Sequence, residues 1–181
     1  MQPIKVKDVI EACDGDLLSG DPETKITGIS TDTRTIRAGD LFFALTGESS
    51  DGHKFLHDAL AKGASGVVVQ RKVEAKCPAI RVPDTLRALG QVAAFYRSKF
   101  DPVVVGVTGS VGKTTTKEMI AAVAGAAGPV LKSAGNFNNE IGLPLTLFGL
   151  TSKHRTAVVE MAMRGPGQIA YLANIAKPRI G

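Results

Sequence analysis

A run of β-branched residues that breaks into glycines constrains this chain more than any other feature. Residues 103–107 read Val-Val-Val-Gly-Val, a pattern typical of a buried parallel strand. A segment with Gly109 and Gly112 follows this run and leads to Lys113, after which apolar residues recur at helical spacing. A strand, a glycine-rich turn and a helix in this order predict a loop whose backbone N–H groups face an anion at the helix N-terminus.

The Gly-Lys-Thr triplet gives this loop its predicted chemistry. Lys113 would reach the β- and γ-phosphates of a nucleotide, and the Thr114 hydroxyl would bind Mg²⁺. The spacing departs from the strict P-loop pattern, because Val107 stands where the first glycine is expected. A glycine-rich turn without a ligand is the alternative, but packing alone does not account for the triplet. We expect an ATP site formed by Thr108, Gly109, Ser110, Val111, Gly112, Lys113, Thr114 and Thr115.

Two later segments carry polar side chains suited to the same site. Asn136, Asn138 and Asn139 lie in a loop whose amides could bind phosphate oxygens or metal-bound water, or could cap the following helix. The pattern does not choose among the three, and Asn136 and Asn139 are our candidate nucleotide contacts. Glu160 ends a buried-strand run, and ligands gather at the carboxyl ends of parallel strands. We therefore predict Glu160 as the second Mg²⁺ ligand beside Thr114, with a surface or ion-paired carboxylate as the alternative.

The first half of the chain carries a different polar cluster. Residues 30–37 are crowded with hydroxyl and guanidinium groups, and an Asp-Gly-His segment at 51–53 precedes a helical pattern. Such a loop is often merely solvated. Two polar loops beside a helix N-terminus nevertheless favour an anion and sugar site. The candidate residues are Ser30, Thr31, Arg34, Thr46, Asp51 and His53.

Composition restricts the class and compartment of the protein. The 181 residues carry 22 Lys and Arg against 17 Asp and Glu, and these basic residues are scattered, which disfavours a nucleic-acid surface. Two cysteines form no paired framework, and the three histidines lack metal-ligand spacing. No apolar run approaches membrane-spanning length. We expect a soluble, cytoplasmic, monomeric protein that binds small anionic molecules.

The order of patterns predicts an α/β protein with two domains. A small α/β domain would occupy residues 1–84, and a P-loop-type domain with a parallel sheet would occupy residues 85–181. No low-complexity linker separates them, so the boundary is inferred from the change of pattern alone. Residues 178–181 are typical of a further strand that is just beginning.

Three groups of segments together resemble the Mur ligases of peptidoglycan synthesis. The nucleotide loop resembles that family's loop, which also departs from strict P-loop spacing. The remaining matches resemble motifs of its central and N-terminal domains, and they cover residues 135–144, 160–163 with 166–167, 30–34 with 39–45, and 51–53. The resemblance implies a three-domain enzyme, of which this chain supplies a UDP-sugar-binding domain and an incomplete ATPase domain.

The resemblance also implies an activity. Family members use ATP and Mg²⁺ to convert a carboxylate to an acyl phosphate, which an amine then attacks. The motifs are closest to the member that joins D-alanyl-D-alanine to UDP-N-acetylmuramoyl-tripeptide. Lys113 and Glu160 would be catalytic, and the six candidates of the first half would hold UDP. Three alternatives remain open: the sister ligase that adds a diamino acid, a simple P-loop NTPase, and a binding module without turnover.

Overall fold

A computed structural model describes residues 1–47 and 50–181 of the chain. It separates into two compact units, Met1–Val92 and Ala93–Gly181. The division lies inside a helix that begins at Thr85, the residue at which we expected the second domain to start. Each unit has its own sheet and its own hydrophobic core.

The first unit is built on a five-stranded mixed sheet. Its elements are β1 (Ile4–Lys5), α1 (Val6–Cys13), β2 (Asp16–Ser19), β3 (Lys25–Ile26), β4 (Gly28–Ser30), β5 (Asp40–Phe43), a 3-10 turn (Gly52–Phe55), α2 (Leu56–Ala61), β6 (Gly66–Val69), β7 (Ala79–Arg81) and the beginning of α3 (Thr85–Ser98), which belongs to the second unit from Ala93 onwards. The strands of the sheet stand in the order β2-β7-β6-β5-β4, with β2 antiparallel and the others parallel, while β1 and β3 form a separate antiparallel pair. Phe42, Val67 and Val69 lie in its core with the partly buried Leu56 and Leu60.

The second unit is built on a three-stranded parallel sheet. Its further elements are β8 (Val103–Val107), α4 (Lys113–Gly125), β9 (Val130–Lys132), α5 (Gly142–Leu147), β10 (Thr156–Glu160) and α6 (Gln168–Ala176). The strand order is β8-β10-β9. The predicted valine run forms β8, which lies beside the run that ends in Glu160. The edge of β8 that does not pair with β10 forms hydrogen bonds with residues 179–180. The Arg179 N–H donates to the Val104 carbonyl at 2.8 Å.

The strand order of the second unit creates a switch point beside β8. From β8 the chain crosses over β10 to reach β9, and it then turns back to form β10. Right-handed crossovers place α4 on one face of the sheet, and α5 and α6, which contact each other, on the opposite face. The loops that follow β8 and β10 therefore diverge at the carboxyl edge, where parallel sheets bind ligands.

Aromatic packing closes the side of this unit opposite α4. Tyr96 of α3 is fully buried and packs against Phe100 and Phe148. Its hydroxyl donates to the Leu150 carbonyl at 2.8 Å, so the ring buries no unpaired polar group. The predicted α/β class with parallel sheets is confirmed.

Candidate nucleotide-binding site

The loop between β8 and α4 is open and rich in unpaired backbone donors. Gly109 and Gly112 adopt φ of +147° and +77°, values that favour glycine, and a Cβ on Gly112 would meet nothing within 4 Å. Gly112 caps α4 without a side-chain hydrogen bond. Within the described residues, the N–H groups of 110–112 have no acceptor, and residues 108–112 are exposed. The helix N-terminus and these donors form a concentration of positive potential that suits a phosphate.

Lys113 curls back over this loop. Its Nζ donates to the Gly109 carbonyl at 2.7 Å and to the Ser110 carbonyl at 3.4 Å. The ammonium is thus held beside the exposed N–H groups by oxygen acceptors that phosphate oxygens could replace. The role of Lys113 at the β- and γ-phosphates stays a prediction.

Glu160, at the end of β10, contacts residues from separate parts of the second unit. The sheet register pairs Glu160 with Val107, the last residue of β8. Thr114 Oγ1 donates to Glu160 Oε2 at 3.1 Å, and Asn138 Nδ2 donates to Glu160 Oε1 at 2.9 Å. The Glu160 N–H donates to Ser133 Oγ at 3.1 Å, and the residue is only 2% exposed. The structure therefore brings together the predicted metal ligands Thr114 and Glu160, which the sequence separates widely.

Lys117 is a charged residue of this site that the sequence analysis missed. Its side chain is 1% exposed, and its Nζ lies 3.8 Å from Glu160 Oε2 and 3.4 Å from Glu118 Oε1. The pKa of Glu118 is lowered, first by the Lys132 side chain and then by Lys117. One signal was available: Lys117 lies one helical turn before the buried Ala121, so it shares the inward face of α4.

The asparagines of the loop after β9 differ in their contacts. Asn139 Oδ1 accepts from the Gly142 N–H at 2.8 Å and the Ile141 N–H at 3.2 Å, so it caps the start of α5. Asn138 instead contacts Glu160, and Asn136 is exposed. Nucleotide contacts by Asn136 and Asn139 stay predictions, and Asn138 is the asparagine that the structure brings to the predicted metal ligands.

The oxygen groups at this point fit Mg²⁺. The ion prefers oxygen ligands and is commonly bound by one or two carboxylates together with substrate phosphates and water. Thr114 and Glu160 supply a hydroxyl and a carboxylate at the helix N-terminus. Across residues 1–47 and 50–181, no three His, Cys, Asp or Glu side chains come together as a metal-binding group. Water and the phosphates of a bound nucleotide would therefore supply the remaining ligands.

His53 and Asp51, two candidates of the first unit, are joined to each other. The His53 ring donates from Nδ1 to Asp51 Oδ1 at 2.7 Å, and His53 Nε2 accepts from the Gln70 N–H at 3.0 Å. This bond from Gln70 requires a proton-free Nε2, which places the proton of the neutral ring on Nδ1. The His53 N–H, the His53 ring and Arg71 lower the pKa of Asp51 to about 2. The pair thus anchors the turn before α2 to the end of β6.

The other candidates lie around the carboxyl ends of β4 and β5. Ser30 is buried and its hydroxyl donates to the Asp32 carbonyl at 2.9 Å, while Thr31 is half-buried. Arg34 pairs with Asp32, and this pairing lowers the pKa of Asp32 to about 2. Thr46 forms an isolated bridge with Asp51. Because β4, β5 and β6 are parallel, all these groups follow strands that end at the same edge of the sheet.

Two family descriptions match this chain, one in each half. The Mur ligase family catalytic domain matches residues 25–97, and the Mur ligase middle domain matches residues 107–181. The chain is 50% identical over 179 residues to the UDP-N-acetylmuramoyl-tripeptide--D-alanyl-D-alanine ligase of Synechocystis sp., covering 97% of this chain and 39% of that protein. The chain thus spans about two fifths of the length of the curated relatives it matches.

Solved structures agree with these matches. The crystal structure of MurF from Acinetobacter baumannii aligns with a TM-score of 0.92 and 36% identity, covering 98% of this chain and 40% of that chain. MurF ligase from Thermotoga maritima in complex with ADP aligns with a TM-score of 0.77 and 37% identity, covering 83% of this chain and 35% of that chain. No helix in the described part of the chain is long and apolar enough to cross a membrane. From the matches in both halves and the identity to these ligases, the chain belongs to the Mur ligase family.

Proposed function

We propose that this chain forms the UDP-sugar-binding and ATP-binding part of a ligase that joins D-alanyl-D-alanine to UDP-N-acetylmuramoyl-tripeptide in peptidoglycan precursor synthesis. The observation that carries the proposal is the meeting of Thr114 and Glu160 at 3.1 Å beside an open, glycine-rich loop. The names of the relatives and the ADP complex of one of them support it. We further propose that the protein is a cytoplasmic monomer.

The proposed reaction forms an amide bond in two steps. A carboxylate is a poor electrophile at neutral pH, so the tripeptide carboxylate oxygen attacks the γ-phosphorus of ATP, giving an acyl phosphate and ADP. The amine of D-alanyl-D-alanine then attacks the activated carbonyl carbon, and inorganic phosphate leaves. Phosphoryl transfer of this kind depends on positioning and charge stabilisation more than on a protein nucleophile.

The residues of the second unit have distinct roles in this proposal. The backbone N–H groups of residues 109–112 and the N-terminus of α4 bind the phosphates. Lys113 exchanges the Gly109 carbonyl for phosphate oxygens and neutralises their charge in the transition state. Thr114 and Glu160 would hold Mg²⁺, which when bound offsets the negative charge of the phosphates. Glu160 is held ready for this by the bonds that fix both of its oxygens.

The first unit supplies the proposed UDP site. The Arg34 side chain is 85% exposed and pairs with the partly exposed Asp32, so its guanidinium could turn to a diphosphate at small cost. Ser30, Thr31 and Thr46 offer hydroxyl groups near the same sheet edge. Both ring nitrogens of His53 are occupied by Asp51 and the Gln70 N–H, so His53 and Asp51 would contribute by shaping the loop.

Nucleotide binding by the 181-residue chain is the first test. Titration calorimetry with ADP and Mg²⁺ should show binding to the wild type. Lys113→Ala should weaken it about 10- to 100-fold, because a charge-assisted hydrogen bond contributes about 1.5–3 kcal/mol. Lys153→Ala, which removes an exposed lysine of the same unit, is the matched control and should bind as the wild type does. Equal affinities of all three proteins would contradict the proposed site.

Ligation is the second test. The chain would be fused to the remaining three fifths of the Synechocystis relative, with the complete relative assayed in parallel. Phosphate release from ATP should require both UDP-N-acetylmuramoyl-tripeptide and D-alanyl-D-alanine, and Lys113→Ala should reduce its rate by about 10²–10³. A folded fusion that binds ADP but releases phosphate only with UDP-N-acetylmuramoyl-dipeptide and a free diamino acid would instead identify the sister ligase.

A further inference from the structure

Lys117 is a buried charged residue to which the proposed nucleotide chemistry assigns no role. Its ammonium lies among three oxygens, 3.8 Å from Glu160 Oε2, 3.4 Å from Glu118 Oε1 and 3.3 Å from the Gly135 carbonyl, to which it donates. A charge buried to this degree is retained only when it is paired, and removing one partner is strongly destabilising. The two carboxylates differ, because the Glu160 side chain is 3% exposed and that of Glu118 is 47% exposed.

The contact between Lys117 and the buried Glu160 fixes the direction of the Glu160 carboxylate. Glu160 Oε1 accepts a hydrogen bond from Asn138, while Oε2 accepts one from Thr114 and lies beside Lys117. Thr114 and Lys117 stand three positions apart on α4, so both approach the same oxygen from one helix face. Without Lys117 only the Thr114 hydroxyl would hold Oε2, and that hydroxyl is itself a proposed metal ligand. Lys117 also donates to Gly135, which connects the loop after β9 to the same point.

The contact with the half-exposed Glu118 gives the Lys117 ammonium a second anionic partner. Glu118 is held from the solvent side by Lys132, with which it forms an ion pair. A divalent cation at Glu160 would share that carboxylate with Lys117 and repel the ammonium. Glu118 is already close enough to receive the ammonium when this happens, so the buried cation would keep a counter-charge.

We propose that Lys117 is a positioning residue of the metal site, and that this inference rests on the proposed function. In the nucleotide-free protein its ammonium compensates the charge of Glu160 and directs Oε2 towards Thr114. When a divalent cation binds at Glu160, Glu118 becomes the main partner of Lys117. Glu118 therefore acts on the metal site only through Lys117.

The test compares ADP binding with Mg²⁺ and with EDTA by titration calorimetry. Lys117→Met should lower the affinity for ADP about 10- to 100-fold when Mg²⁺ is present, which is the usual cost of removing a partner of a metal ligand. It should leave the affinity in EDTA within about twofold of the wild type, and Lys117→Arg should restore most of the loss. Glu118→Gln should weaken only the Mg²⁺-dependent affinity, and it should have no further effect in the Lys117→Met protein.

Lys132→Gln is the matched control, because it removes the exposed partner of Glu118 and leaves Glu118 beside Lys117. An unchanged Mg²⁺ dependence in Lys117→Met would overturn the inference, as would an equal loss with and without Mg²⁺, which would show a structural role only. Additive effects of the Glu118 and Lys117 substitutions would also overturn it. If Lys117→Met does not fold, the Lys117→Arg and Glu118→Gln proteins test the inference instead. An ADP affinity of Glu118→Gln that depends on Mg²⁺ as the wild-type affinity does would then overturn the inference. Failure of the wild type to bind ADP more tightly with Mg²⁺ would refute the proposed function instead.

Discussion

Replacing Glu160 with glutamine should destabilise the free protein as well as weaken the proposed metal site. Glu160 is 2% exposed, and its carboxylate accepts hydrogen bonds from Asn138 on one oxygen and from Thr114 on the other. A glutamine has one acceptor oxygen, so its amide nitrogen must face one of these donors. The exchange therefore loses at least one hydrogen bond to a charged acceptor, and such a bond contributes about 1.5–3 kcal/mol. The exchange also leaves Lys117 without its buried counter-charge.

The size of the second effect depends on Glu118. Breaking a buried ion pair costs about 3–5 kcal/mol when the remaining charge has no partner. Here Lys117 keeps Glu118 at 3.4 Å, so that cost is largely offset. We expect a total loss of about 2–3 kcal/mol, which lowers Tm by roughly 5–10 °C in a chain of this length.

Calorimetry without Mg²⁺ or nucleotide measures this loss in the Glu160→Gln protein. Asp101→Asn, which neutralises an exposed carboxylate of the same unit, is the control and should leave Tm within about 2 °C of the wild type. A Glu160→Gln protein as stable as the wild type would refute the reasoning. It would show that desolvation of the carboxylate cancels its three favourable contacts.

Three further substitutions test other parts of the structure. Tyr96→Phe leaves a buried carbonyl without the hydroxyl that donates to it at 2.8 Å, so urea denaturation should show a loss of about 1–2 kcal/mol, and no loss would contradict the contact. Gly142→Ala places a Cβ 2.5 Å from the Phe137 Cα, so it should lose about 1–3 kcal/mol in the same assay, whereas Gly125→Ala, with nothing within 4 Å, should lose none. The pKa of Asp51 is lowered to about 2, so its stabilising contribution is complete above its unfolded value of about 4 and is lost as the pH falls towards 2. Asp51→Asn should therefore lower the urea midpoint at pH 7 and match the wild type near pH 2, and a gap that stays constant with pH would contradict this.

Local sequence patterns predicted several of the strands and helices. The valine run predicted β8, and the apolar spacing after Lys113 predicted α4, because both elements are specified by residues close in sequence. Strand β2 was not expected, since Asp16–Ser19 is short, partly exposed and polar at both ends. Its formation depends on pairing with β7, about sixty residues away. The sequence offers no local signal for such pairing.

The polar loops show the same limit. The asparagine-rich loop was predicted as a ligand site or as a helix cap, and the structure shows a cap on one residue and a contact with a predicted metal ligand on another. Asn139 caps α5, and Asn138 reaches Glu160. Residue type alone could not separate them, because the same amide group serves either purpose.

The amino-acid sequence by itself determined that a phosphate-binding type of loop stands between a strand and a helix, and that Lys113 and Thr114 open that helix. These features follow from glycine's backbone freedom and from the N–H groups that every helix leaves unpaired at its start. Only the tertiary structure decided that Glu160 lies against Thr114 and that Lys117 is buried beside it. Those contacts arise because the register of two parallel strands sets Glu160 opposite Val107, where the nucleotide loop begins.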